Sequence, residues 1–185
     1  TLLSSFYQTD KSYFLVNGST VGNLAMILGT IHAGDTVLVQ RNCHKSVMNG
    51  LALASAKPIF IHPELDNEGI EIGLTASLVK EYLDKYPETR AVILTYPNYY
   101  GMGMELDGII RVAHQQQIPV LVDEAHGAHF AAGDPFPPSS LQRGADIVVH
   151  SAHKTLPAMT MGSYLHVQGE LVAAEQVERY LRMLQ

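Results

Sequence analysis

The feature that most constrains this 185-residue chain is a regular alternation of short, β-rich apolar runs with stretches of helical period. The runs are Tyr13–Val16, Thr36–Gln40, Pro58–His62, Ala91–Tyr96, Pro119–Glu124, Asp146–Ser151 and Ser163–Val167. Between them, Val21, Leu24, Ala25, Leu28 and Ile31 recur at the spacing of one helix face. Leu74, Leu78 and Tyr82 form a second stripe, and Leu106, Ile109, Ile110 and Ala113 a third. Gly34 is read as the residue just past the first helix, Pro87 as the stop of the second, and Pro119 as the opening of the strand after the third. Val120-Leu121-Val122 and Ile147-Val148-Val149 are apolar on both faces, as a parallel strand covered on both sides requires. The pattern predicts a doubly wound α/β domain with a mostly parallel sheet of about seven strands. The Pro-rich stretch Asp134–Ser140 reads as a surface connection.

Bulk properties remove several classes of function. The formal net charge is −6, and the 12 basic residues are scattered, so the electrostatic footprint of a nucleic-acid binder is missing. Apolar stretches such as Leu24–Leu28 and Ala91–Leu94 are far too short to span a bilayer. Cys43 stands alone, which leaves no internal disulfide and fits a reducing, cytoplasmic setting. The chain opens at Thr1 without a Met or a basic-then-apolar leader, and closes within a helical run, Glu175–Gln185. We therefore expect residues 1–185 to be one domain of a longer protein.

In a doubly wound sheet, ligands bind beyond the carboxyl ends of the strands, so the residues there carry the functional information. Asn17-Gly18-Ser19-Thr20 follows the first run. It suits a phosphate held at a helix N-terminus, and equally an ordinary helix cap. Arg41-Asn42-Cys43-His44-Lys45-Ser46 follows the second, where His44 could stack on an aromatic ligand, move a proton, or simply face solvent. Asp123-Glu124-Ala125-His126-Gly127 follows the fifth. A carboxylate ending an apolar strand needs a partner, and a protonated pyridine nitrogen is one. Alternation points Asp123 and Ala125 the same way, so the small Ala125 leaves room for a flat ring. Ser151-Ala152-His153-Lys154-Thr155 follows the sixth and offers an amine nucleophile, although most lysines are surface charges. Each motif has a bland explanation. Together they supply a phosphate cradle, a ring neighbour, a ring-nitrogen acid and an amine, the four requirements of pyridoxal 5'-phosphate (PLP).

These runs, with Leu156-Pro157 completing the last, together resemble the Orn/Lys/Arg decarboxylase family, PLP enzymes of fold type I with the aspartate-aminotransferase fold. The resemblance covers nearly the whole chain and corresponds to the large, cofactor-binding domain. It implies that Ser19 and Thr20, helped by Ser151 and His153, hold the phosphate. It further implies that His44 stacks on the ring with Ala125 on the other face, and that Asp123 keeps the ring nitrogen protonated. Lys154 would be the Schiff-base lysine, with His126 near the ring and the reacting carbon. Tyr96-Pro97-Asn98-Tyr99-Tyr100-Gly101 resembles a further wall of the site. The implied reaction is decarboxylation of arginine, lysine or ornithine to the polyamine precursor, in a homodimer or higher oligomer whose sites borrow residues from a neighbour. Such members carry an N-terminal segment and a C-terminal domain that residues 1–185 lack.

Other readings compete. Asp123-Glu124-Ala125-His126 matches the DEAH string of RNA helicases, yet no Gly-Lys pair for a phosphate-binding loop occurs in the chain. His126 and His129, with Asp123, could form a metal site, although the spacing departs from the usual zinc pattern. An aminotransferase, lyase or aldolase would keep fold and cofactor and change the chemistry. A truncated PLP-binding domain without turnover is the remaining alternative.

Overall fold

The computed structural model describes Thr1 through Gln185. The elements run α1 (Leu2–Tyr7), β1 (Lys11–Leu15), α2 (Gly18–Thr30), β2 (Thr36–Gln40), α3 (Lys45–Leu53), β3 (Lys57–Ile61), β4 (Glu64–Leu65) and β5 (Glu71–Gly73). There follow α4 (Ala76–Lys85), β6 (Thr89–Thr95), α5 (Leu106–His114), β7 (Val120–Asp123), β8 (Ile147–His150), α6 (Ala152–Thr155), β9 (Ser163–Val167) and α7 (Ala174–Leu184). Seven strands form one sheet in the order β1-β9-β8-β7-β6-β2-β3, and β4 pairs with β5 in a separate two-stranded ribbon. Only β9 runs against the rest, pairing antiparallel with both β1 and β8. The expected doubly wound, mostly parallel α/β sheet is therefore present, with the carboxyl ends of six strands on one edge.

Both faces of the sheet are covered, which is why its central strands are apolar throughout. Val37, Val39, Ile93, Leu121, Ile147 and Val149 pack under α2, α3 and α7. Leu38, Val92, Leu94, Val122 and Val148 pack under α1, α4 and α5. Each wholly buried aliphatic side chain contributes roughly 1.5–3 kcal/mol, so the two layers hold the strand ends in fixed relative positions.

Several local expectations need correction. In α2 the most buried residues are Gly22, Asn23, Ala25, Met26 and Ile27, while Leu24 and Leu28 are only partly buried. The helix is enclosed by the sheet, α3 and α7, so a single amphipathic stripe does not describe it. Gly34 lies in the turn before β2, at a φ of 88°, and the helix is capped earlier, at Ile31. Leu74 is buried but precedes α4, which Thr75 caps by accepting the Leu78 N–H at 3.3 Å. The Asp134–Ser140 stretch is exposed only as far as Pro138; Ser139 and Ser140 are buried, and the Ser140 N–H donates to Glu124 at 2.7 Å.

Candidate active site

A cleft of about 220 Å³ opens at the carboxyl edge of the sheet. It is lined by Ser19, Asn42, Cys43, His44, Thr95, Tyr99, Asp123, Ala125, His126 and Lys154. Six residues anticipated for the site therefore meet around one cavity: Ser19, His44, Asp123, Ala125, His126 and Lys154. Thr20, Ser151 and His153 are not among its lining residues, although Ser151 bonds to Ser19, which is.

The phosphate side is built by the β1–α2 junction. Gly18 adopts a φ of 76°, a conformation that favours glycine, and its N–H donates to the Met161 carbonyl at 2.9 Å. That turn starts α2 beside β8, where Ser151 donates its hydroxyl to Ser19 Oγ at 2.7 Å. His153 is held by two donations to the Gly162 carbonyl, from its backbone N–H and from Nδ1, each at 3.0 Å. Its Nε2 is left for another partner. Thr20 is exposed on the first turn. Free N–H groups, hydroxyls and an imidazole form a donor set suited to an anion.

At the floor stands Asp123, 3% exposed. It accepts from Asn23 Nδ2 at 2.9 Å and from the Ala125 N–H at 3.2 Å. Burial pushes its carboxyl up, while the Asn23 hydrogen bond, His44, the Ala125 N–H and Lys154 pull it down. Thr95 is in register with Asp123 on the adjacent strand, so both side chains face the same side of the sheet. Thr95 Oγ1 and Asn42 Oδ1 are buried without a hydrogen-bond partner, and both residues line the cleft. Such orphaned groups fit a polar ligand between them.

His44 caps α3: its Nδ1 accepts the Ser46 N–H at 3.2 Å and lies 2.8 Å from Ser46 Oγ. Histidine is not among the preferred capping residues, which is why this helix start is hard to see in the sequence. Across the cleft, Lys154 Nζ is 3.2 Å from His126 Nε2. Lysine has no acceptor, so His126 accepts through Nε2 and carries its proton on Nδ1. Burial, then the Lys154 charge, push the His126 pKa down, and that keeps the imidazole neutral. Tyr99, from the further wall noted in the sequence, meets His126 edge-on with centroids 6.3 Å apart.

His126 and His129 do not converge. Residues 124–129 after β7 are turns that lead into a short 3-10 helix, Phe130–Ala132, and His129 packs against Phe130 and Phe136 at 4.8 and 4.6 Å. No group of three or more His, Cys, Asp or Glu stands close enough to share a metal ion. No helix is long and apolar enough to cross a membrane. Sequence reasoning passed over Asn23, Thr95 and Tyr99 as individual site residues. The available signal for Asn23 was a lone amide within the apolar run of α2.

Comparison with known proteins identifies the family and the fold. The family model described as Orn/Lys/Arg decarboxylase, major domain, matches residues 1–185. An uncharacterized protein, YaaO, of Bacillus subtilis is 53% identical, covering 100% of this chain and 39% of the relative. Arginine decarboxylase of the same organism is 38% identical, covering 99% of this chain and 38% of the relative. The chain thus spans about two fifths of the length of these relatives. Solved structures of lysine decarboxylases and aminotransferases, fold type I PLP enzymes, share the fold. Lysine decarboxylase A from Pseudomonas aeruginosa aligns with a TM-score of 0.85 at 22% identity, over 98% of this chain and 27% of that one. A family match over every residue, falling on the domain whose strand ends gather an acid, an imidazole and a lysine, leads to one conclusion: the chain belongs to the Orn/Lys/Arg decarboxylase family.

Proposed function

We propose that this domain binds PLP between Asp123 and Lys154 and serves the decarboxylation of a basic amino acid, arginine, lysine or ornithine. The observation that carries the reading is a buried carboxylate and a lysine amine lining one 220 Å³ cleft, with a neutral imidazole at 3.2 Å from the amine. When bound, PLP supplies the electron sink for the electron pair left behind by departing CO2. The chain's own residues do the rest. Ser19 and Thr20 at the start of α2, with Ser151 and His153, hold the phosphate. His44 and Ala125, both lining the cleft, would flank the ring, and Asp123 would keep a proton on its nitrogen. Lys154 would hold the cofactor through its amine, which can pass a proton to His126 Nε2, 3.2 Å away.

Arginine is the first substrate to test, because the relative at 38% identity is an arginine decarboxylase while a lysine decarboxylase matches at 26%. Residues beyond the chain complete substrate recognition in this reading, and a dimer or higher oligomer in the cytoplasm is its setting. The same fold also serves an aminotransferase, N-succinyldiaminopimelate aminotransferase from Mycobacterium tuberculosis, at a TM-score of 0.74. Fold alone does not choose between the two reactions. Product analysis does: the full-length protein loaded with PLP should release CO2 and form agmatine, cadaverine or putrescine. Formation of a keto acid without CO2 would assign it to amino-group transfer instead.

A further inference from the structure

We propose that Asn23 is a positioning residue of this site: its amide ties the Asp123 carboxylate to the Ser46 hydroxyl and, through Ser46, to the His44 ring. One buried side chain of α2 then sets both the acid proposed for the ring nitrogen and the imidazole proposed for the ring face. The proposal rests on the reading that PLP occupies the cleft.

Asn23 is 1% exposed and lies within the apolar layer between α2 and the sheet. An amide there is costly unless it is hydrogen-bonded, and Asn23 pairs its two donors while its Oδ1 has no partner. Nδ2 donates to Asp123 Oδ2 and to Ser46 Oγ, each at 2.9 Å. Turning the amide over would aim Oδ1 at the carboxylate, so this network allows only one orientation. Ser46, also 1% exposed, accepts from Asn23 and therefore has its own proton free for His44 Nδ1 at 2.8 Å. The Ser46 N–H donates to the same nitrogen, so the His44 ring proton sits on Nε2.

The Asp123 branch bears on cofactor binding. Burial drives this carboxyl toward its neutral form, and the Asn23 hydrogen bond is the largest opposing influence. The titratable groups around it are His44, Lys154, His126, Cys43 and His150. A neutral acid cannot pair with a protonated ring nitrogen.

The test compares, in the full-length protein, binding of PLP with binding of its analogue carrying carbon in place of the ring nitrogen. Wild type should prefer PLP. Asn23→Ala, and Asn23→Leu as a better-filling second variant, should lower PLP affinity about tenfold or more and leave the analogue little changed. The preference then falls to that of Asp123→Ala. Ser46→Ala, which breaks only the His44 branch, should keep it. Equal losses for both ligands in the Asn23 variants would reduce Asn23 to a packing residue and overturn the proposal. If wild type binds neither ligand, the cofactor reading fails. Carbon-13 titration of Asp123 in the unloaded protein then still decides: its midpoint rises on Asn23→Ala, and an unmoved midpoint overturns the role of Asn23.

Discussion

Asp123 and Glu124 are neighbours in sequence with opposite tasks. Asp123 faces the cleft, whereas Glu124, wholly buried, turns to the far side of the sheet near His150. There a polar chain crosses the layer: Ser12 Oγ is 2.8 Å from His166 Nδ1, His166 Nε2 is 3.1 Å from His150 Nδ1, and His150 Nε2 is 3.4 Å from Glu124 Oε1. Burial lowers the His150 pKa from 6.5 to about 3 and also holds His166 well down. These two histidines therefore bind fewer protons in the native state than in the unfolded chain, and their contribution to stability falls as pH drops from about 6.5 toward 3. The His150 contribution is on the order of 4 kcal/mol. Glu124, pushed well up by burial, has the opposite sign: its contribution is lost as pH rises through its raised value. Urea midpoints measured from pH 7 to pH 4 should decline in wild type and decline less in His150→Gln, with the remainder from His166. A profile in His150→Gln that runs parallel to wild type would show that His150 is not held neutral by burial as described. Nothing in the sequence marked this chain, because Asp146–Ser151 reads as one apolar strand and its pattern assigns His150 no role.

At the level of elements, close approach of α2 to the sheet places Asn23 against Asp123. A Cβ on Gly22 would stand 2.7 Å from Val149 Cγ1 and 2.8 Å from Leu15 Cδ1. A second close approach, between Gly50 of α3 and Ile27 of α2, lies one turn beyond the Ser46–Asn23 hydrogen bond. Helix propensity alone predicts that Gly22→Ala stabilises by ~1 kcal/mol. Overpacking costs about 1–3 kcal/mol, and the β-branched Val149 on a central strand has little room to yield, so net destabilisation is expected. Chemical unfolding checks the sign: a variant more stable than wild type would mean that α2 does not sit this close. Elements with strong apolar runs were legible, including all seven strands of the main sheet. The helix α3 was not, because its buried face is only Ser46, Val47, Gly50 and Leu51 and its cap is a histidine. The ribbon β4–β5 was not, because its strands are two and three residues long and carry no apolar run.

Across the whole molecule, legibility follows from topology. A parallel sheet brings the residues after its strands to one edge, so motifs far apart in sequence, at Ser19, His44, Asp123 and Lys154, could be assigned to one place before any coordinates. What topology does not reveal is the support behind them, since Asn23 and Thr95 sit within elements whose pattern speaks only of burial. The central claim is that Lys154 is the residue that grips PLP. Borohydride reduction of the PLP-loaded full-length protein, followed by peptide mass mapping, tests it most directly. The expected result is a phosphopyridoxyl mass on the peptide containing Lys154 and its loss in Lys154→Ala. The same label on another lysine, or its persistence in that variant, would contradict it.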